Sequence, residues 1–216
     1  MQYPNFSEEI ILWHQGIQFV AGIDEVGRGP LAGPVVAVAV CVKSDLNRED
    51  FKFLGINDSK KLSEKKRESL YKILANHKDV FFGVGIVSEK IIDKINILEA
   101  TKLAMVIAVE NLEKKLANKT EFLLIDGNFI IDDSILSKTG IFLPDQKAIV
   151  KGDQKVFSIA MASIIAKVTR DKIMKEMHQI YPEYRFDLHK GYGTKLHIKN
   201  LQSFGRCKVH RLSFKF

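Results

Sequence analysis

Phe19-Val20-Ala21-Gly22-Ile23-Asp24-Glu25-Val26-Gly27-Arg28-Gly29-Pro30 is an apolar run that ends on two adjacent acids and a glycine-flanked arginine. The first five residues, Phe19 to Ile23, read as a buried strand. Neighbouring strand residues point to opposite faces, so Asp24 and Glu25 cannot both be free in one regular strand. At least one faces a helix-covered layer or a cleft, and a bare buried carboxylate is costly unless something pairs with it. Arg28 is the nearest cation in the chain, so a plain pairing with Arg28 or with backbone amides is one reading of these acids. A metal site is the other.

Outward from this stretch, Val35 to Val42 and Val80 to Val87 read as further strands, the latter with Gly83 and Gly85 on one face. Glu121 to Ile125 is a short apolar strand stopping at Asp126-Gly127, and Lys147 to Val150 suggests a fifth. Ser63 is placed to cap a helix to about Asn76, and Asn96 with Glu99 resembles a capping box opening a helix to about Leu116. Val156 to Ile180 reads as a long helix, and Thr194 to Gln202 as a shorter one beyond Pro182. Three strands followed by alternating helix and strand predict an α/β fold with a mixed five-stranded sheet flanked by helices. The expected division is a catalytic domain over 1–180 and a small C-terminal helical extension over 181–216. The stretch from Gly127 to Gln146, with Asp132 and Asp133, reads as a variable excursion.

Asp126 repeats the character of Asp24: a carboxylate at the polar end of an apolar strand, followed by glycine. It is a turn former on the plain reading. If the two strands are parallel neighbours, their backbones lie about 5 Å apart and the two acids converge. Converging carboxylates repel, and a hard cation with oxygen ligands relieves that repulsion; octahedral oxygen coordination suits magnesium or manganese. Asp153, in Lys151-Gly152-Asp153-Gln154 before the long helix, fits either a helix-dipole role or a further ligand. The turn Gly27-Arg28-Gly29 is no dinucleotide fingerprint, since the third glycine is missing and Pro30 and Pro34 intervene. It is either a tight hairpin turn or a place where backbone amides approach a phosphate or sugar closely.

The charge is unevenly spread. Residues 147–216 hold 15 basic and 5 acidic side chains, whereas 1–146 hold 18 and 21, within an overall net charge of +7. A basic C-terminal third beside a mildly acidic body fits a polyanionic partner or a solvated helical surface. Cys41 and Cys207 match no zinc or redox spacing, and Cys41 lies in an apolar run where a buried inert thiol is expected. With no basic leader, and no apolar run longer than Val35–Val42, a soluble cytoplasmic monomer without membrane contact is expected.

At these residues the sequence closely resembles the bacterial type II ribonuclease H family. The resemblance runs through Ala21 to Pro30, Asn57-Asp58-Ser59-Lys60-Lys61-Leu62-Ser63, Ile125-Asp126-Gly127-Asn128, Val150 to Asp153, Ala162 to Asp171, His189-Lys190-Gly191-Tyr192-Gly193-Thr194 and His210-Arg211-Leu212-Ser213-Phe214. It implies a ribonuclease H-like fold and two divalent ions, Mg2+ or Mn2+, held by Asp24, Glu25, Asp126 and Asp153. It also implies hydrolysis 5′ to ribonucleotides in RNA/DNA hybrids and to single ribonucleotides embedded in duplex DNA. Gly27, Arg28 and Gly29 would sense the ribose with Tyr192 against the sugar, and Asn57, Lys60 and Lys61 would meet the substrate backbone. Lys60 and Lys61 also fit a plain solvated loop. Asp171 is an alternative fourth acid, for which a surface ion pair is simpler. His189 and His210 are expected as duplex contacts or surface residues. Leu212 replaces a usual second arginine, and the aromatic ending up to Phe216 fits either docking on a replication protein or packing on the domain. The rivals are a type III-like ribonuclease H needing runs of ribonucleotides and a non-catalytic duplex-binding protein.

Overall fold

A computed structural model describes residues 3–52, 54–56, 59–132 and 143–215, the side chains of 50, 52 and 61 apart. Asn57, Asp58, Asp133 and the middle half of the 127–146 excursion therefore lie outside the described residues, as does the side chain of Lys61.

Five strands form one sheet: β1 (Val20–Val26), β2 (Val35–Val42), β3 (Val80–Val87), β4 (Phe122–Asp126) and β5 (Asp145–Ile149), in the order β3-β2-β1-β4-β5. β1 and β2 pair antiparallel, as do β2 and β3, while β1–β4 and β4–β5 are parallel. This is the mixed sheet expected from the element order. Helix α1 (Ser7–His14) precedes it, short α2 (Glu49–Lys52) and α3 (Glu64–Asn76) join β2 to β3, and α4 (Glu89–Leu116) joins β3 to β4. The long helix α5 (Phe157–Ile180), one-turn α6 (Phe186–His189) and α7 (Lys195–Phe204) follow.

Helices cover both faces. On one, α4 packs Ala104, Met105, Ala108 and Leu112 against Ala37, Ala39 and Ile23. On the other, α5 packs Ala160, Met161 and Ile164 against Val38 and Val40. β2 is buried along its whole length because both layers close over it, which is why its sequence is an unbroken apolar run. Gly83 and Gly85 face α4, where an added Cβ would lie 2.0 Å from the Ala108 carbonyl and 1.9 Å from that of Ala104. The helix therefore rests directly on the backbone of β3.

Ser63 caps its helix as read, its Oγ accepting from Lys66 N, and Thr194, read as the first residue of the last helix, caps it, its Oγ1 accepting from His197 N. Two differences stand out. α4 begins at Glu89, and Asn96 lies inside it at φ 65°, ψ 169° as a break. Asn96 Oδ1 accepts from Leu98 N and Glu99 N, so the capping signal is real but opens the second segment of a kinked helix. β1 runs on to Val26, because Asp24 and Glu25 continue the ladder opposite Val38 and Ala37. No helix among the described residues is long and apolar enough to cross a membrane.

Candidate active site

The register of β1 sorts its two acids. Asp24 lies beside Val38, on the face that α5 covers, and Glu25 beside Ala37, on the face that α4 covers. Ile23 pairs with Ile125, so the next step of that parallel ladder sets Asp24 beside Asp126, as the convergence of two parallel strand ends requires. Gly22, on the same face as Asp24, lets α5 approach: an added Cβ would lie 2.3 Å from Ser158 Oγ. β5 then ends at Ile149, and the chain turns through Lys151 (φ 58°) into Gly152-Asp153-Gln154 before α5. Gly152 N donates to Asp126 Oδ1 at 2.6 Å, tying the turn that carries Asp153 to the strand end that carries Asp126.

Asp24 is buried, and so is Asp153. Burial first, then the charges of Glu25 and Asp126, push the Asp24 carboxyl well above the usual carboxylate range; a hydrogen bond from Ser163 opposes this and Asp153 adds to it. Burial also raises Glu25, against the pull of Arg28, whose Nη1 lies 3.5 Å from Glu25 Oε1. The pairing with Arg28 allowed by the sequence is thus real but satisfies one oxygen only. Glu25 Oε2 is buried without a hydrogen-bond partner. Among the described residues no three acid, histidine or cysteine side chains are already closed around one point, so the acids share a sheet end without forming a finished cage. Their chemistry nevertheless fits a hard divalent cation: mutually repelling carboxylates, one with an orphaned buried oxygen, are relieved by a positive charge that takes oxygen ligands.

The turn after Glu25 lies beside the acids. Gly27 adopts φ +95°, a left-handed conformation that glycine holds without cost. Tyr192 approaches from the C-terminal segment, its Cε1 3.9 Å from where a Cβ on Gly29 would lie, and the ring is 41% exposed. Arg28 extends over Phe129, 5.3 Å from the ring centroid. Lys60 is exposed on a short turn, Ser59–Lys61. Asn57 lies outside the described residues.

Several polar residues sit elsewhere than the sequence suggested. Asp171 is buried, held by Lys167 Nζ at 2.6 Å and Arg67 Nη2 at 4.0 Å, so it forms an interior ion pair rather than a surface one. His189 and His210 are buried too, and neither reaches the surface to touch a duplex. They join His197 in a stack under Tyr192, with the rings of His189 and His197 4.3 Å apart. Carbonyls only accept, which fixes the tautomers. His197 Nδ1 donates to Tyr192 O, His210 Nε2 then donates to His197 Nε2, and His210 Nδ1 accepts from Cys207 N. Burial lowers His197 and His210 to about 4, so all three rings of the stack are neutral at pH 7.

Sequence reasoning missed four residues around the site. Ser163 bonds Asp24 and lies 2.9 Å from Ser59 Oγ, linking the acid to the turn that carries Lys60. Arg170 and Arg211 are wholly buried against the Gly27–Pro34 loop. The spacing of Ala166, Arg170 and Met174, all buried and four apart, puts Arg170 on the apolar face of α5, and that was the available signal. A cavity of about 480 Å³ bounded by Phe19, Cys41, Phe81 and Leu116 lies at the opposite end of the sheet.

Residues 21–216 match the model of the ribonuclease HII family. The chain is 50% identical over 212 residues to the ribonuclease HII of Chlamydia abortus, covering 97% of this chain and 89% of that protein. The fold is similar to ribonuclease H2 from Pyrococcus horikoshii, with a TM-score of 0.70 and 29% identity, over 91% of this chain and 93% of that one. It is equally similar, at a TM-score of 0.70 and 26% identity over 92% and 96% of the two chains, to the Archaeoglobus fulgidus ribonuclease HII solved in complex with PCNA. The chain belongs to the ribonuclease HII family and is a hydrolase of the ribonuclease H class.

Proposed function

We propose that this enzyme hydrolyses the phosphodiester 5′ to a ribonucleotide, in RNA/DNA hybrids and where a single ribonucleotide is embedded in duplex DNA. Asp24, Glu25, Asp126 and Asp153 hold two divalent ions, Mg2+ or Mn2+. Bound there, such ions would supply charge to activate an attacking water and to stabilise the leaving 3′-oxygen of an in-line displacement. The observation that carries this reading is the pair of parallel strand ends bearing Asp24 and Asp126 beside a buried, unpartnered Glu25 oxygen. A protein that only binds duplex has no use for the carboxyls of Asp24 and Glu25 buried beside other acids and next to a polyanion.

The chain's own groups supply the rest. Gly27–Gly29 offers backbone close to the sugar, where only the 2′-hydroxyl separates RNA from DNA. Tyr192 packs against the sugar at the junction, and Asn57, Lys60 and Lys61 meet phosphates, which position the duplex without reading its sequence. No histidine among the described residues is read as a base at the acids; the buried His197 ring holds the Tyr192 carbonyl instead. In this reading 1–180 performs the chemistry and 181–216 completes the substrate face, in the cytoplasm and as a monomer. A replication-protein partner at the C-terminus would meet a tail already engaged: Asp93 accepts from Leu212 N and Ser213 N, and Arg211 lies over Phe214.

The test is incubation with duplex DNA containing one ribonucleotide, with and without Mg2+ or Mn2+. Metal-dependent nicking 5′ to the ribonucleotide is expected. Cleavage confined to runs of ribonucleotides would point to a type III-like specificity, and tight binding without nicking to a binding protein.

A further inference from the structure

Arg170 and Arg211 are both fully buried, and each spends its guanidinium on main-chain carbonyls rather than on an acid. Arg170 donates to Pro34 O at 3.0 Å, Ala32 O at 3.1 Å and Lys190 O at 2.9 Å. Arg211 donates to Gly27 O at 2.6 Å, Arg28 O at 2.9 Å and Gly33 O at 2.8 Å. Asp171, next to Arg170 in the chain, turns to Lys167 and Arg67 instead. Among the described residues neither guanidinium forms an ion pair with a carboxylate. Burying two cations against carbonyl dipoles and ring faces, with no carboxylate, is an expensive way to hold a loop, which asks what the loop must do.

The peptide plane gives the answer. In a trans peptide the C=O of one residue and the N–H of the next point in opposite directions, and the described backbone has no cis bond. Arg211 holds Gly27 O and Arg28 O inward, so the N–H groups of Arg28 and Gly29 are turned away from it. Neither amide has an acceptor among the described residues. Arg170 closes the other side: its Nε lies 2.2 Å from where a Cβ on Gly27 would be, and its Cζ is 5.8 Å from the Tyr192 ring centroid. One pair of side chains therefore sets both the direction of two free amides and the seat of the exposed ring. The C-terminal segment completes the frame, with Leu31 N donating to Gly191 O and Gly33 N to Val209 O.

We propose that Arg170 and Arg211 are positioning residues that aim the Arg28 and Gly29 amides, and with them Tyr192, at the sugar–phosphate of the ribonucleotide. They thereby set discrimination between ribose and deoxyribose. This rests on the reading of Gly27–Gly29 as the part that meets the sugar. Arginine is needed because its planar fork reaches three carbonyls at once; a lysine ammonium is a point charge and leaves carbonyls unmatched.

The experiment compares wild type, Arg211→Lys and Arg170→Lys for equilibrium binding to a one-ribonucleotide duplex and to the same duplex in all-DNA form, with Ca2+ in place of the catalytic ion. Melting curves select the variants that are folded at the assay temperature, and two sites keep one informative if the other unfolds. The preference for the ribonucleotide duplex is expected to fall about tenfold, as when one well-aligned hydrogen bond is forfeited. A preference equal to wild type, or an equal loss on both duplexes, would overturn the positioning role. Wild type with no preference at all would instead refute the underlying sugar-reading role of the turn.

Discussion

The buried stack of His189, His197 and His210 makes the folded chain sensitive to acid. His197 and His210 have ordinary values near 6.5 and lie at about 4 in the folded chain, so the unfolded chain takes up protons first as pH falls. Their contribution to stability is therefore complete above about pH 6.5 and is lost as pH falls towards 4. Linkage between about pH 7.5 and about pH 5 gives a loss of about 2 kcal/mol per ring. That is a ceiling, because a ring that becomes charged draws in water. The raised carboxyls of Glu9, Asp24 and Glu25 work in the opposite sense, their folded forms holding protons longer, so the wild-type profile is a mixture. His197→Asn isolates the histidine share, since it removes the titration and keeps a donor near the Tyr192 carbonyl. Urea unfolding at the two pH values should show a smaller acid loss in His197→Asn than in wild type, by up to about 2 kcal/mol. Equal losses, or an NMR titration midpoint near 6.5 for the wild-type His197 ring, would refute the reasoning.

Three further outcomes are expected. Gly22→Ala sets a Cβ 2.3 Å from Ser158 Oγ and 2.5 Å from Ile159 N, so α5 must move; the cost is about 1–3 kcal/mol, read as a lowered melting temperature, and an unchanged one would contradict the packing. Cys41, buried and with its thiol pushed up to about 12, should resist a thiol reagent until the protein unfolds, so fast labelling of native Cys41 would contradict its placement. Tyr192→Ala should mainly reduce the preference for junctions over continuous hybrids, measured as the ratio of kcat/KM values; an unchanged ratio would remove Tyr192 from the sugar contact.

The sheet was legible because its strands are apolar runs whose ends coincide with pairing limits: Val35–Val42 and Val80–Val87 form as read. β1 was read three residues short, since acids look like a strand end until the partner strand supplies the ladder opposite them. α1 left no clear trace, having no side-chain cap and only Glu9 and Leu12 buried. Glu9 proves to be a tertiary cap, accepting from Ser158 N at the start of α5, a contact 149 residues away in sequence. Distance in sequence also explains the misread polar residues. His189 and His210 look like surface or substrate-facing groups, and Arg170 and Arg211 go unnoticed, because their partners are carbonyls and rings of other segments, which carry no sequence signature. Asp24 and Asp126 were legible for the opposite reason: an acid ending an apolar strand is conspicuous wherever its partner lies.

The central claim is that the acids at the end of β1 and β4 hold the ions that drive hydrolysis. It is tested most directly by single-turnover cleavage of a one-ribonucleotide duplex by wild type, Asp24→Asn and Asp126→Asn, with Mg2+ or Mn2+ at saturation. Wild type is expected to nick 5′ to the ribonucleotide, and both variants to bind the duplex without cutting it. Metal-dependent cleavage retained at the wild-type rate in either variant would contradict the account.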